Sequence, residues 1–264
     1  IATLPADSPV VYDGRLNRAS IFDDDGDFAR SVSPDPPSGG EATLIRLLGV
    51  FGDGTFLGAV RLLADRPASG SGIVRPDNVL HRFDAEGEPL DSLGVVPGDE
   101  AAVIEGVIAP LDFLRRTRIA IGADRVHVSP SNDFSVTTYS PDGRPLRITR
   151  LAHEPAPIGE DDRSRFGEMV EIPASRRLPA ISGMLLDDEG RLWVEEYRRS
   201  DEGAGAWWVF DDEGRLRTGV AMPDGLRPMH VGEDAVVGVW RDSLDVEHVR
   251  VHRVVRGPAS EGGG

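Results

Sequence analysis

Residues 181–223 read ISGMLLDDEGRLWVEEYRRSDEGAGAWWVFDDEGRLRTGVAMP, and this stretch decides the fold. Apolar residues alternate with other side chains from Leu192 to Tyr197 and again from Trp207 to Phe210, which is the period of a half-buried β-strand. The hexapeptide DDEGRL occurs twice, at 187–192 and 211–216, and its glycine suits a turn that needs a positive φ. The stretch therefore predicts four short antiparallel strands joined by tight turns, which is one blade of a β-propeller.

The rest of the chain repeats this pattern, with variation in sequence and in loop length. An aromatic residue followed by a glycine-containing turn precedes the last strand of four units, at Phe22, Phe83, Tyr139 and Phe210. The alternative all-β fold, a β-sandwich, would not repeat this phrase at a fixed phase, whereas radial repetition of one sheet does. We therefore predict an all-β fold, a β-propeller of four-stranded antiparallel blades of the six-bladed type, with about five units present.

The repeat also predicts the organisation of the chain. The five units cover 1–33, 42–95, 118–149, 181–223 and 229–254, and the last unit shows only three strands. Residues 64–78 are rich in Pro and Gly and predict an extended surface loop, while residues 151–178 predict an irregular segment with one helical turn near 163–169. We expect a single propeller domain over 1–256 and a disordered tail over 257–264.

Composition excludes several classes of partner and site. The net charge is −16, and an acidic surface repels nucleic-acid phosphates and anionic lipid headgroups. The chain contains no cysteine, which excludes disulfides, zinc–thiolate sites and thiol nucleophiles. No apolar run approaches the roughly 18 residues that a membrane-spanning helix needs. We therefore expect neither a nucleic-acid partner nor a membrane-spanning segment.

Motifs for metal binding and catalysis are weak. The acidic run at 23–27 is similar to a calcium loop, but its glycine comes too early and Pro34 stands where a bidentate glutamate is needed, so a solvated hairpin is favoured. His248 and His252 lie on one face of a predicted strand about 13 Å apart, too far to share a metal. Residues 69–72 predict a flexible loop rather than a nucleophile. We predict no catalytic residue, no metal site and no cofactor.

The tryptophans have two interpretations. They can stack on a sugar, or they can pack between blades, and strand alternation favours the core for most of them. The chain has four, at Trp193, Trp207, Trp208 and Trp240.

Arginines form the one pattern that points to a ligand. In three units an arginine precedes the turn after the innermost strand by six or seven residues, at Arg46, Arg118 and Arg227. Inner strands line the axial channel of a propeller, so these guanidinium groups are candidate donors for a carboxylate, sulfate or phosphate. The alternative is that each arginine pairs with an acidic residue of a neighbouring blade. Further arginines fall in loops that enter inner strands, and His230 can add a pH-dependent donor. The candidate ligand-binding residues are Arg46, Arg118, Arg227, His230, Arg115 and Arg177, with Arg116 and Arg176 in the same loops.

Five phrases carry a resemblance to a known family. They are VVYDGRLNRASIFDDDGDFARSV, VHVSPSNDFSVTTYSPDGRPLRITR, GRLWVEEY, WWVFDDEGRL and VVGVWRDSLDVEHVRVHRV. Together they resemble bacterial six-bladed β-propellers of the TolB-like and NHL-like kind, over most of the chain. The resemblance implies a periplasmic or cell-surface protein. Because about five units are present and no leader precedes Ile1, we expect the leader and the first blade to be missing.

Three functions are consistent with this fold. We favour a binding or interaction module whose partner is a small anionic ligand at the axial channel, or another protein. One alternative is a metal-dependent propeller hydrolase that resembles gluconolactonase and regucalcin, which would hold its metal through Glu, Asn and Asp of inner strands. The predicted inner strands at 44–50, 118–122, 183–186 and 229–231 carry no carboxylate, which argues against this alternative. The other alternative is a structural propeller domain of a longer exported protein.

The fifth unit also predicts how the ring ends. It is one strand short, so we expect an open or strained ring with an exposed edge after Val254 and a tendency to self-associate.

Overall fold

A computed structural model describes residues 2–4, 8–37, 43–62, 72–109, 111, 113–166, 170–199 and 206–255. By its internal contacts the chain divides into two compact units, Ile1–Met184 and Leu185–Gly264. Among the described residues, no helix is long and apolar enough to cross a membrane. The predicted tail at 257–264 lies outside the described residues.

The first unit is built from short strands. They are β1 (Ala2–Thr3), β2 (Pro9–Asp13), β3 (Arg18–Phe22), β4 (Phe28–Val32), β5 (Thr43–Val50), β6 (Phe56–Leu62), β7 (Gly72–Val74), β8 (Asp77–Phe83), β9 (Pro89–Pro97), β10 (Ala101–Ile104), β11 (Val107–Ala109), β12 (Arg118–Ile121), β13 (Val126–Ser129), β14 (Ser135–Tyr139) and β15 (Pro145–Arg150). One helix, α1 (Glu160–Phe166), follows them.

These strands form three antiparallel four-stranded sheets and a small one. The first sheet has the order β1-β2-β3-β4, the second β5-β6-β8-β9 and the third β12-β13-β14-β15. The small sheet, β11-β10-β7, takes β7 from the connection between β6 and β8 and β10 and β11 from the segment between the second and third sheets, and we call it the inserted sheet. In each four-stranded sheet the strands follow chain order from one edge to the other, and in the second sheet the connection from β6 to β8 passes through β7 of the inserted sheet.

The first strands of successive sheets lie side by side. Strand β5 contacts both β1 and β12. The backbone of Gly52 donates a hydrogen bond to the Ala123 carbonyl at 2.9 Å, and a Cβ at Gly52 would lie 2.8 Å from that of Ala123, so only glycine fits this approach. Sheets that meet at their first strands and pack face to face are the arrangement of β-propeller blades.

In the first unit, neighbouring four-stranded sheets enclose apolar cores. Between the first and second sheets, the core contains Val10, Ala19, Ile21, Val32, Ile45, Leu47, Phe56, Val60 and Phe83. Between the second and third, it contains Phe51, Leu57, Ala59, Leu80, Leu93, Val96, Val126 and Val128. Complete burial of one such side chain contributes about 1.5–3 kcal/mol, so these two layers stabilise the contact between the sheets.

The second unit continues the same plan. Its strands are β17 (Leu192–Glu196), β18 (Ala206–Phe210), β19 (Leu216–Ala221), β20 (Leu226–Val231), β21 (Ala235–Arg241) and β22 (Glu247–Arg253), and the boundary between the units falls inside β16 (Ile181–Leu186). The fourth sheet is β16-β17-β18-β19 and the fifth is β20-β21-β22. Their shared core contains Trp193, Trp207, Val209, Met222, Leu226, Val231 and Val236.

The prediction of an all-β fold built from propeller blades is confirmed, including three strands in the last sheet. The prediction of a surface loop over 64–78 is wrong at its end, because β7 pairs there with β10, as in Val74 opposite Ala101. The strands β10 and β11 were not predicted. All three have only three or four residues, too short for alternation to mark them. β7 and β10 also pair across a long stretch of chain, whereas β10 and β11 form a hairpin around Glu105 and Gly106 whose turn signal was missed.

Candidate functional site

Three arginines and one glutamate meet in the first unit, at the ends of short strands. Arg75 follows β7, Glu100 precedes β10, and Arg115 lies three residues before β12. Arg176 lies in the segment that leads to β16. We call these four residues the arginine cluster. Three cations with two nearby carboxylates, Glu100 and Asp99, leave one net positive charge here, in a chain whose net charge is −16.

Close contacts of the segment after β9 position the glutamate. The N–H of Gly98 donates to the Pro76 carbonyl at 2.8 Å, and a Cβ at Gly98 would lie 2.5 Å from that oxygen, so the close approach requires glycine. The Asp99 carboxylate accepts a hydrogen bond from the Thr117 N–H at 3.1 Å. Together these bonds hold the segment before β10 against the segment before β12.

Glu100 is the centre of the cluster. Its side chain is only 6% exposed, and its Oε2 accepts hydrogen bonds from the Arg115 N–H, at 2.7 Å, and from Nη2 of Arg176. The Glu100 N–H in turn donates to the Arg115 carbonyl at 2.9 Å. The guanidinium of Arg176 also lies over the ring of Phe113, with 5.8 Å between its central carbon and the ring centroid. A carboxylate buried to this degree depends on such partners, because its desolvation costs several kcal/mol.

Arg75 has a structural role in the cluster. Its Nε donates to the Gly98 carbonyl at 2.8 Å and its Nη1 to Oδ1 of Asn132 at 2.8 Å. Its Nη2 donates to the Pro130 carbonyl at 2.6 Å and to Thr117 Oγ1 at 3.2 Å. Burial lowers the pKa of Arg75, although the charge of Glu100 acts in the opposite direction. The hydrogen-bonding capacity of this guanidinium is largely used in joining loops.

Arg115 and Arg176 have donors to spare. The side chain of Arg115 makes one long hydrogen bond, from Nη2 to the Arg177 carbonyl at 3.4 Å. The Nε atoms of Arg115 and Arg176 are buried, and neither has a hydrogen-bond partner among the described residues. Burial lowers the pKa of Arg115; Glu100 opposes this shift and Arg176 adds to it. Adjacent guanidinium groups with unused donors are suited to a carboxylate, sulfate or phosphate group.

The structure places two of the predicted inner-strand arginines on neighbouring strands. Arg46 is exposed on β5 and Arg118 is partly buried on β12. Gly49 of β5 packs against Ile121 of β12, and each arginine lies three residues before this contact. The two residues therefore occupy corresponding positions on adjacent first strands. Whether their side chains converge on a ligand remains a prediction.

The remaining predicted residues are elsewhere. Arg227 and His230 lie on β20 in the second unit and are exposed, and His230 Nε2 is 3.5 Å from Asp188 Oδ2. The guanidinium of Arg177 bonds Oε1 of Glu154 at 2.6 Å and the Pro155 carbonyl at 2.9 Å, so its donors are directed away from Arg115.

Sequence reasoning missed Arg75 and Glu100. Arg75 lies in the stretch interpreted as a surface loop, and its partners Asn132 and Pro130 are 57 and 55 residues further along the chain. Glu100 bonds Arg176 across 76 residues. No local pattern marks pairs at such separations. The only available signal was the placement of arginines in loops that enter inner strands, which identified Arg115 and Arg176.

The other sequence motifs form ordinary structure. The acidic run at 23–27 is a hairpin turn, in which the Asp23 carboxylate accepts the Asp27 N–H at 2.8 Å and Gly26 has a φ of 85°. No group of three His, Asp or Glu able to hold a metal occurs among the described residues. Trp193 and Trp207 are buried in the core of the second unit, as predicted.

No protein-family model and no curated protein matches the chain. Solved structures similar to it include a member of the DUF4221 family from Bacteroides vulgatus, with 11% identity, coverage of 94% of this chain and 76% of that one, and a TM-score of 0.46. BamB from Moraxella catarrhalis has 11% identity, coverage of 94% and 83%, and a TM-score of 0.32. A catalytically inactive variant of virginiamycin B lyase from Staphylococcus aureus, with quinupristin, has 11% identity, coverage of 93% and 85%, and a TM-score of 0.35. At these TM-scores the fold assignment rests on the chain's own sheets.

Proposed function

We propose that this chain is a propeller-based binding module that holds a small anionic ligand at the arginine cluster, with Arg115 and Arg176 as the main donors. One observation carries the proposal: both guanidinium groups have a buried Nε without a hydrogen-bond partner among the described residues. Buried donors are nearly always satisfied in folded proteins, so an unused pair beside an excess of positive charge favours an anion.

The shared contact with Glu100 supports this assignment. Both the Arg115 N–H and the Arg176 guanidinium bond the same carboxylate oxygen, which keeps the two arginines close together. Glu100 and Asp99 together balance two of the three charges of Arg75, Arg115 and Arg176. Arg115 is partly exposed and the Arg176 side chain is 10% exposed, so a ligand would approach from the solvent side of Arg115. A carboxylate or phosphate group would add the missing negative charge in a partly desolvated place, where charge-assisted hydrogen bonds are strong.

The acidic exterior sets the character of the binding. At long range a net charge of −16 repels anions, while the arginines attract them at short range. Salt screens the long-range repulsion over about 8–10 Å at physiological ionic strength but acts less on the partly buried contacts. We therefore expect weak, selective binding that depends on salt concentration.

Calorimetry with succinate, glucuronate and inorganic phosphate tests the proposal. The informative variant is Arg115→Gln, because its backbone bonds to Glu100 remain and only one side-chain hydrogen bond of 3.4 Å is lost. The matched control is Arg125→Gln, which makes the same change in charge at the exposed turn where Arg125 pairs with Asp124 at 2.8 Å. We expect Arg115→Gln to weaken binding about tenfold or more. Absence of binding to all three probes, or equal affinity of both variants, would contradict the proposal.

A third variant separates this site from the inner-strand alternative. If Arg46 and Arg118 hold the ligand instead, Arg118→Ala weakens binding and Arg115→Gln does not. Absence of any ligand would favour the structural alternative, in which the cluster serves only to join loops. The periplasmic or cell-surface location stays a prediction of the family resemblance.

A further inference from the structure

Strand β22 presents an open edge in the second unit. It is the last strand of the fifth sheet, and β21 is the one described strand that pairs with it. Nearly all of its residues are exposed, including Val249 at 75% and Val251 at 67%. An exposed strand edge is a template for another strand, because its backbone donors and acceptors on that side lack strand partners.

The hydrogen bonds of the strand ends show which residues face outward. The Val246 carbonyl accepts from Asp242, and the Val254 N–H donates to the Asp234 carbonyl at 2.8 Å, so both groups point toward the β21 side. Successive residues of a strand point their backbone groups to opposite edges. The N–H and C=O groups of the alternate residues therefore point away from β21; these residues are Glu247, Val249, Val251 and Arg253.

The sequence of the strand is nearly palindromic. Residues 248–252 read HVRVH, which is the same sequence in both directions. This palindrome is flanked by an acidic residue, Glu247, and a basic one, Arg253. Glu247 is bonded to Arg241 at 2.7 Å, whereas Arg253 has no ion-pair partner among the described residues. One end of the strand thus carries negative charge and the other carries free positive charge.

We propose that β22 pairs antiparallel with β22 of a second copy of this chain, about a two-fold axis at Arg250. In this register Glu247 of each copy stands opposite Arg253 of the other, and Val249 opposite Val251. All four are outward-facing residues, so each opposed pair exchanges two backbone hydrogen bonds. Two opposite-charge pairs and two apolar pairs stabilise this register, and a symmetric interface of this kind closes at a dimer.

Arg250 stands at the axis, opposite its own copy. Its guanidinium carbon lies 3.4 Å from the ring centroid of Trp240, so the side chain is held over the indole of its own subunit. This cation–π contact keeps the charge on the side chain directed away from the axis. The like-charge repulsion that would oppose the pairing is reduced accordingly.

Two charge reversals and their mixture test the interface. Arg253→Glu places like negative charges opposite each other twice, and Glu247→Arg places like positive charges opposite each other twice. In a mixture of the two variants, each mixed dimer has two opposite-charge pairs again. Sedimentation of the full chain over a concentration series measures the dimer Kd. We expect each variant alone to weaken the dimer about tenfold or more, and the mixture to restore it.

The control is Arg215→Glu, which makes the same change in charge at a 72%-exposed side chain on the turn before β19. It should leave the dimer Kd unchanged. A chain that is monomeric at all concentrations overturns the proposal, as does a dimer that neither reversal weakens. Circular dichroism of each variant establishes that it is folded.

Hydrogen exchange adds a further criterion. Protected outward amides of Val249 and Val251 in a monomer would show that another segment of the same chain covers this edge, and this result would also overturn the proposal.

Discussion

The hexapeptide DDEGRL occurs at 187–192 and 211–216, and its two copies adopt the same turn in different surroundings. In both, the N–H of the first aspartate donates to the carbonyl four residues later, at 3.1 and 3.0 Å. In both, the aspartate Oδ1 accepts from the N–H groups two and four residues later. Gly190 and Gly214 both have a φ of 76°. The backbone of the turn therefore follows from the local sequence.

The burial of the two turns differs. The side chain of Asp187 is 0% exposed, and its Oδ2 accepts from Arg191 Nε at 2.7 Å and from Trp193 Nε1 at 2.8 Å. The side chain of Asp211 is 18% exposed, and the residue in the position of Trp193 is Arg217, with Nη1 3.8 Å from Asp211 Oδ2. The first turn connects the innermost strands of its sheet and the second connects the outermost. Identical residues thus become part of the core in one place and part of the surface in the other.

The largest expected loss of stability distinguishes Asp187 from Asp211. Asp187→Ala leaves the buried Trp193 Nε1–H without its acceptor and removes the acceptor of Arg191 Nε, although the 30%-exposed Arg191 keeps its pair with Glu189. We therefore expect the free energy of unfolding to fall by about 2–4 kcal/mol. Asp211→Ala loses the same turn bonds but no buried partner, and its effect should be several times smaller. Denaturant unfolding followed by tryptophan fluorescence measures both, because all four tryptophans lie in the second unit. Equal losses would show that burial of the first turn adds nothing to its stability.

A buried histidine predicts that stability also depends on pH. His127 of β13 is buried, and one ring nitrogen, Nδ1, is 3.0 Å from Thr138 Oγ1. Burial lowers the pKa of His127 to about 4, and the charges of Arg125 and Arg147 act in the same direction. Since the unfolded chain takes up this proton near pH 6.5, stability is complete above that pH and falls as the pH drops toward 4, by about 3 kcal/mol.

The matched variants for this prediction are His127→Gln and His252→Gln. The first should remove most of this loss of stability between pH 6.5 and 4, and the second, on the edge strand β22, should not. Urea unfolding followed by circular dichroism at several pH values compares them. An unchanged pH dependence in His127→Gln would mean that other groups cause the acid sensitivity.

Replacing Trp193, the residue that follows the first copy of the hexapeptide, is expected to have an intermediate effect on the free energy of unfolding. Trp193→Phe removes the Nε1–H bond to Asp187 while Arg191 still bonds that carboxylate, so we expect a loss of about 1–2 kcal/mol. Trp208→Phe is the control, because Trp208 is only partly buried and its Nε1 donates to Glu196 Oε2 at 3.3 Å. A larger loss in the control would place the main stabilising contact of this sheet outside the turn.

Replacing the turn glycine should have the smallest effect on the free energy of unfolding, and the effect should be equal in the two copies of the hexapeptide. Gly190→Ala and Gly214→Ala each place a Cβ on a residue with a φ of 76°, which costs about 1 kcal/mol. No heavy atom lies within 4 Å of a Cβ built at Gly190, so backbone strain is the only cost there. Denaturant midpoints of the two variants give the comparison. A markedly larger loss in Gly214→Ala would show that tertiary contacts, rather than local strain, limit the second turn.

The strands that could be predicted are those with local signals. Alternating apolar residues and turn glycines identified the strands of the first to fifth sheets, because a hairpin is specified by residues that are neighbours in the chain. In the inserted sheet the β7–β10 pairing escaped prediction because these strands are short and distant in sequence, while the β10–β11 hairpin is local but its strands are too short to show alternation. The same reason applies to the candidate site: Arg115 and Arg176 were visible as loop residues, but Arg75 and Glu100, whose partners are distant in the chain, were not.

The sequence by itself determined the β-strands, their turns, the glycine positions and the excess of acidic over basic residues. These depend on backbone sterics and on side-chain alternation, which act over a few residues. Only the tertiary structure decided that Glu100 joins Arg115 to Arg176, across 15 and 76 residues, and that Asp187 is buried while Asp211 is partly exposed. Burial and charge pairing depend on which distant segments pack together, and that information is not contained in any local stretch of the chain.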